Sequence, residues 1–505
     1  MTSQITQLAE QLRLNLQDIS WKVRKREVGH IVRVGDGIAF LSGLPSVRFG
    51  ELLERSDGLT GFAFDLRKRE VGVVLLDGTQ ALSAGDEMHA TGRVLSVPVG
   101  EALLGRVVDI LGRPLDGGPV IRCSERSPVE REAPGIIDRQ PVQEPLLTGV
   151  KIIDSLLPLG RGQRELILGD RATGKTSLAL DVILAQRGTG VLCIYTAIGQ
   201  RKATIGEVVN TLQEQQALEY TIVVSSDAET SPGQQYLAPY AACAMAEHFM
   251  GQGKHVLIVY DDLTKHADAY RRISLLLERP PAREAYPADV FYLHSRLLER
   301  ATRLHDRLGG GSMTALPIAS TQAGQIAAYI PTNLISITDG QLYLDLRLFN
   351  EGFRPAVDVG LSVSRVGGKA QPPLLRRIAG DLRLLYAQLH ELENFARFGA
   401  DLEPATRRRL DRGRRLREIL KQPRLAPCSL SHQMVVLFAV REGLLDSIPI
   451  PQIVKYVSGL TAWLDVTEQQ LLESLETSTD LDDPLRVRLR QALENYSRHS
   501  AEASS

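Results

Sequence analysis

Apolar residues near the start of the chain recur at helical spacing. Ile5, Leu8, Leu12, Leu16 and Ile19 follow one another at steps of three and four, which places them on one face of an amphipathic helix over residues 1–21. Such a face needs a partner surface, either its own domain or another chain. From about residue 28 to 89 the pattern changes to short β-rich runs broken by glycine: HIVRV, then Gly35, Asp36 and Gly37, then IAFLSGL, and later VGVVLL followed by Asp77 and Gly78. Asp-Gly pairs take up the positive φ angles of tight hairpin turns, so this stretch predicts a small antiparallel barrel or sandwich.

Beyond it, strand-like apolar runs (ELILG, VLCIYTAI, YTIVVS, HVLIVYDD, TALPIAS, NLISITDG) alternate with helix-length segments. That alternation predicts a parallel sheet covered by helices, with ligands bound at the carboxyl ends of the strands. Past Pro373 glycines thin out and long amphipathic stretches such as LRRIAGDLRLLYAQLHELENFARFG predict a helical bundle. The expected division is an N-terminal helix (1–21), a β-barrel (22–90), an α/β domain (91–371) and an α-helical domain (372–505).

Composition narrows the function. With 505 residues, 43% hydrophobic and 24% charged, the protein has the make-up of a folded multidomain chain and not of a disordered one. A formal charge of -1 creates no whole-molecule attraction to nucleic acid or anionic lipid. Cys123, Cys193, Cys243 and Cys428 are too widely spaced for a metal knuckle or a dense disulfide framework, which points to a reducing compartment. Glu10, Arg13 and Asp18 interrupt any signal-peptide core. The longest uncharged stretch contains Pro317, Gln322, Gln325, Pro331 and Asn333, so no bilayer-spanning helix is expected.

The strongest motif is ELILGDRATGKTSLALDVIL, where Gly169, Gly174, Lys175 and Thr176 stand in the G-x-x-x-x-G-K-[ST] arrangement between a strand and a helix. Asp170, Arg171, Ala172 and Thr173 complete the loop. Backbone N–H groups turned inward by the glycines and the N-terminus of the following helix cradle phosphate oxygens. Lys175 reaches the terminal phosphates and Thr176 can ligate magnesium. The run HVLIVYDD ends in Asp261 and Asp262. Asp261, directly after the apolar run, is the better candidate to hold the magnesium shell beside Thr176.

Several further segments extend the pattern: GDRATGKTS, CIYTAIGQRKATI, YTIVVSSDAETSPGQQYLAPYAAC, IVYDDLTKHADAYR, REAYPADVFYLHSRLLERA, ISITDGQLYLD and RPAVDVGLSVSRVGGKAQ. In this order, and over nearly the whole length, the sequence resembles the alpha subunits of rotary F-type ATP synthases. The resemblance implies a β-barrel, a RecA-like domain and a helical domain. It also implies a ring of alternating alpha and beta subunits around a central-stalk gamma subunit, with peripheral-stalk subunits and an ion-conducting membrane sector beyond. The assembly would sit peripherally on the cytoplasmic face of the cell membrane, with proton or sodium as coupling ion. ATP or ADP with magnesium would be a resident ligand, because in that family the alpha site does not turn over.

Particular residues match that division. Catalytic relatives carry a glutamate after the second core strand, whereas VLCIYTAIG is followed here by Gln200, and an amide cannot accept a proton from water. Glu207 is the nearest alternative base. Arg365, in GLSVSRVGG, resembles the arginine that the family supplies across the interface to the beta site; Ser362 matches a position associated with activity, and Ser364 also flanks the arginine. Arg354, Pro355 and Gln422 match positions lining the adenine pocket. Ala172 and Arg424 depart from the family pattern, which has glutamine at both, and the departures bear on base contacts and not on the phosphate cradle. The basic run 407–424 reads as a solvated or subunit-facing helix surface, since no stacking aromatics accompany it. The competing reading is a homo-hexameric RecA-like motor, a Rho-like RNA translocase or an export ATPase, which Gln200 disfavours. A purely structural nucleotide protein is the third.

Overall fold

The computed structural model describes residues 27–76, 82–397 and 403–502. The helix expected over 1–21 and the Asp77–Gly78 turn lie outside the described residues. The protein divides into two compact units, 1–95 and 96–505.

In the first unit, β1 (Val28–Gly35), β2 (Ile38–Ser42), β3 (Glu51–Glu54), β4 (Thr60–Leu66), β5 (Val71–Leu75) and β6 (Glu87–Val94) close into an antiparallel barrel in the order β1-β2-β5-β4-β3-β6. Ile31, Leu41, Leu53, Val73, Leu75 and Met88 fill its interior. The β1–β2 turn has Asp36 at φ 49° and Gly37 at φ 90° between the paired Gly35 and Ile38, the left-handed pair that matches strand twist.

In the second unit, β7 (Ser96–Val99) pairs with β9 (Glu125–Pro128), and β10 (Pro145–Leu146) with β11 (Leu159–Gly160). The main sheet contains β8 (Val107–Val108), β12 (Glu165–Gly169), β13 (Val191–Gln200), β14 (Thr221–Asp227), β15 (His255–Asp261), β16 (Ser312–Ser320), β17 (Gly340–Leu344) and β18 (Val363–Ser364). Its order is β18-β17-β12-β16-β15-β13-β14-β8. Neighbours are parallel except β18, which runs antiparallel to β17 at one edge. Helices Lys175–Leu184, Pro232–Gly251 and Leu263–Leu276 pack on the central strands, so β12 and β15 are buried almost throughout and their apolar runs are continuous, not alternating.

Among the described residues six α-helices follow: Pro373–Arg397, Pro404–Leu420, Leu430–Arg441, Ile453–Thr467, Gln469–Thr477 and Asp483–Glu502. Their apolar stripes join the sheet's core, with Leu374, Ile378, Leu416 and Phe438 in one cluster with Ile153 and Leu178. Polar stitches cross the same boundary. Buried Asp154 accepts from the Thr148 N–H (2.8 Å), the Thr148 hydroxyl (2.7 Å) and Gln433 Nε2 (2.8 Å), and Lys151 Nζ donates to the carbonyls of Ile419 and Lys421. Much of the basic run is spent inside the bundle. Arg412 bonds Asp446 (2.6 Å), Arg414 and Arg417 bond Glu393 (3.4 and 2.9 Å), and Arg415 donates to the carbonyls of Leu445, Asp446 and Ile448. Among the described residues, no helix is long and apolar enough to cross a membrane.

Candidate functional site

The phosphate loop leaves the carboxyl end of β12 and enters the helix Lys175–Leu184. Each glycine has a distinct reason to be there. A Cβ on Gly169 would come within 2.6 Å of the Leu344 carbonyl, and Gly174 caps the helix at φ 95°. Ala172 also has a positive φ, 62°, a conformation that costs an L-residue roughly 1–2 kcal/mol. The loop is braced from within: Thr173 Oγ1 donates to the Asp170 carbonyl (2.8 Å). The Asp170 carboxylate accepts from Thr321 Oγ1 (2.5 Å) and the Gly324 N–H (3.0 Å). Lys175 Nζ lies over the loop, donating to the carbonyls of Gly169 (2.9 Å) and Asp170 (2.6 Å). Burial pulls this ammonium below its usual pKa, while Asp262, Asp261 and Asp170 oppose the shift and exposed Arg171 adds to it.

Asp261, at the end of β15, is the hub of the site. Its Oδ2 accepts from the Thr176 hydroxyl (2.6 Å) and the Tyr195 hydroxyl (2.8 Å), and its Oδ1 from Gln200 Nε2 (2.8 Å). Asp262 plays a different part. Its Oδ1 caps the helix Leu263–Leu276 by accepting the Lys265 N–H (2.8 Å), and its Oδ2 accepts from Ser320 Oγ (3.1 Å). Burial first, then neighbouring Asp261, raises the pKa of this carboxyl. Gln200 is clamped at both ends, because its Oε1 accepts from Lys265 Nζ (2.9 Å) while its nitrogen serves Asp261. Glu207 is exposed on the helix Lys202–Glu214.

A cavity of about 570 Å³ opens beside the loop. Ala172 to Ser177 line it together with Phe349, Arg354, Pro355, Gln422 and Arg424, so the residues expected around a nucleobase, Arg354, Pro355 and Gln422, share one space with the phosphate loop. Exposed Arg354 stacks its guanidinium 4.6 Å from the Phe349 ring centre. The Gln422 amide is already committed: Oε1 accepts the Lys151 N–H (3.1 Å) and Nε2 donates to the carbonyls of Gly149 (2.8 Å) and Ala426 (2.7 Å). It shapes the wall through its position. Asp181 also lines the cavity, accepts the Leu425 N–H (2.6 Å), and is pushed by burial to a pKa of about 6.

Arg365 lies elsewhere. It follows β18 at the sheet edge, its side chain is exposed, and its N–H donates to the Asp339 carbonyl (2.9 Å). Among the described residues its guanidinium makes no hydrogen bond or ion pair. Ser362 is 2% exposed and its hydroxyl accepts the Tyr343 N–H (2.9 Å), which makes it an anchor of the edge. Ser364 Oγ donates to the Pro158 carbonyl (2.9 Å). Sequence reasoning missed Tyr195 and Lys265, the partners of Asp261 and Gln200. Their roles depend on the β13–β15 register, in which Ala197 stands opposite Asp261, and no local motif marks it.

Comparison with known proteins places this geometry. Residues 25–92 match the family model described as the beta-barrel domain of the ATP synthase alpha/beta family, and residues 149–364 match that family's nucleotide-binding domain. Residues 371–496 match its C-terminal domain. The sequence is 50% identical over 487 residues to the ATP synthase subunit alpha of Aquifex aeolicus, a match spanning 96% of this protein and 97% of that one. A barrel, a phosphate-loop sheet and a helical bundle in this order, matched along almost the full length, make the protein a member of the ATP synthase alpha/beta family, on its alpha-subunit side.

Proposed function

We propose that the protein is the regulatory subunit of an ATP synthase, holding Mg-ATP or Mg-ADP without turning it over, while the complex couples proton or sodium flow to ATP synthesis or hydrolysis. The observation that carries this reading is the clamped amide of Gln200 beside Asp261. Turnover needs a group that accepts a proton from the attacking water. The Gln200 oxygen is spent on Lys265 and an amide has negligible basicity, so water placed there is held and not activated. Glu207 stands exposed on its helix and, among the described residues, shares none of the hydrogen bonds that join Gln200 to Asp261 and Lys265, so it supplies no substitute.

The hydroxyl of Thr176 and the carboxylate of Asp261, 2.6 Å apart, are hard oxygen donors that suit a magnesium ion completed by phosphate and water. When bound there, the ion would neutralise phosphate charge and so tighten nucleotide binding. Lys175 and the N–H groups of 169–176 hold the phosphates, and Arg354, Pro355, Gln422 and Arg424 enclose the base. Arg365, exposed at the sheet edge and without a hydrogen bond or ion pair among the described residues, suits a role in trans on the beta subunit's reacting phosphate. The partners in this reading are beta subunits in an alternating ring, a central-stalk gamma subunit, peripheral-stalk subunits and, through them, the membrane sector at the cytoplasmic face.

Steady-state ATPase assays of the purified protein, alone and reconstituted with a beta-type and a central-stalk subunit, test the reading. The expected outcome is tight ATP binding with negligible hydrolysis alone and vigorous hydrolysis in the complex. Rapid turnover by the isolated protein would overturn it.

A further inference from the structure

The phosphate loop uses the carboxyl end of β12; the opposite end of the strand carries a group that no step above uses. Glu165 is 0% exposed. Its Oε2 accepts one N–H of Gln163 Nε2 (2.8 Å), while Oε1 is enclosed with no hydrogen-bond partner among the described residues. The bare α-carbon of Gly340 lies against it: a Cβ there would come within 2.4 Å of Glu165 Oε2 and 2.2 Å of the Val363 carbonyl, so the carboxyl and the edge strand β18 press on the same spot. Burial raises the proton affinity of this carboxyl; the Gln163 hydrogen bond opposes the shift, Asp339 reinforces it and Arg365 opposes it, so the carboxyl lies within the field of the edge arginine.

A buried polar group that is only half satisfied costs stability, and an apolar side chain of similar size would not. What the carboxyl supplies is orientation. The amide of Gln163 is fixed on three sides: Oε1 accepts the Gly160 N–H (2.8 Å), one N–H goes to Glu165 and Nε2 also reaches Ser364 Oγ (3.3 Å). Ser364 in turn donates to the Pro158 carbonyl and accepts the Gly367 N–H (3.2 Å), and the next residue is Arg365. β18 is only two residues long and pairs with β17 through Gly340–Ser364 and Gln341–Val363, so its few ladder bonds leave its placement dependent on such side-chain ties.

We propose that Glu165 is a positioning residue for Arg365, acting through Gln163 and Ser364 to fix the edge strand and the direction from which the guanidinium meets the partner subunit. The inference rests on the reading of Arg365 given above. Displacing a reacting group by about 1 Å can cost about a hundredfold in rate, so a loose edge strand should be visible kinetically.

The test uses the reconstituted complex of this protein with beta-type and central-stalk subunits, comparing Glu165→Leu, Glu165→Gln and Arg365→Ala. Glu165→Leu is expected to lower kcat between about tenfold and a hundredfold with KM nearly unchanged, and to leave ATP binding by the isolated subunit intact. Glu165→Gln, which keeps an acceptor for Gln163, is expected to recover most of that loss. Wild-type kcat in Glu165→Leu beside a crippled Arg365→Ala overturns this inference alone. Equal loss in Leu and Gln variants, with ATP binding by the isolated subunit also weakened, overturns it in favour of a core role. An undiminished rate in Arg365→Ala overturns both this inference and the reading beneath it. If Glu165→Leu does not assemble, Ser364→Ala decides, a fall in kcat supporting the proposal and wild-type kcat refuting it.

Discussion

The phosphate cradle and the sheet edge that carries Arg365 belong to one domain and are built on opposite principles. In the cradle nearly every polar side chain is committed internally: Asp261 accepts three hydrogen bonds, Gln200 is clamped at both ends and Lys175 has two carbonyl partners. At the edge the backbone of Arg365 is tied down while its exposed guanidinium has no hydrogen bond or ion pair among the described residues. A site that binds its own ligand gains from preorganisation, which cuts the entropy lost on binding. On the proposed reading that Arg365 serves another subunit, a fixed root and an uncommitted tip are what that role requires.

The sharpest way to break the comparison is Arg365→Ala. In phosphoryl-transfer systems a lost arginine finger costs on the order of 10³ to 10⁵ in rate, and a loss of that size is expected in the reconstituted complex. Equilibrium titration of the isolated variant should give wild-type ATP affinity, since among the described residues no hydrogen bond or ion pair joins Arg365 to the cradle.

A second test probes the cradle's wall through pH. The Asp181 carboxyl has a pKa raised from 3.8 to about 6 by burial. The folded state therefore holds the proton more tightly than the unfolded state. The stabilisation from Asp181 is complete below about 3.8 and is lost as pH rises through about 6. Two pKa units correspond to about 3 kcal/mol. Denaturant unfolding of wild type and Asp181→Asn between pH 4 and 7 should show the variant losing less stability over that window; parallel curves would count against the assignment.

The smallest effect is expected from Lys175→Ala. Removing a charge-assisted donor from a phosphate costs about 1.5–3 kcal/mol, or roughly tenfold to a hundredfold in ATP affinity by titration. The substitution breaks the cradle and spares the edge, the mirror image of Arg365→Ala.

Much of this was legible in the sequence where chemistry is local. Gly169, Gly174, Lys175 and Thr176 announce a phosphate loop because their roles depend on backbone angles and near neighbours, and Asp36–Gly37 announces its turn for the same reason. The two carboxylates after β15 are adjacent in sequence, and only folding separates the helix cap, Asp262, from the hub, Asp261. Tyr195 and Lys265 stayed hidden because strand register and a helix turn bring them to their partners. Gln422 was expected at the base pocket and lines the cavity, yet its amide is consumed by Lys151, Gly149 and Ala426. The first two of these contacts span 271 and 273 residues and leave no local trace.

That last arrangement has a mechanical consequence. Gln422 and Lys151 fasten the end of the helix Pro404–Leu420 to residues 149–151, whose Val150 lines the cavity together with Gln422, so cavity and bundle share these ties. Thermodynamic linkage then acts in both directions. A load that tilts the bundle and changes ligand affinity by some factor is resisted, once the ligand is bound, by the same factor. On the reading proposed above, a nucleotide held without turnover would serve the molecule as a strut, stiffening the bundle for as long as it stays.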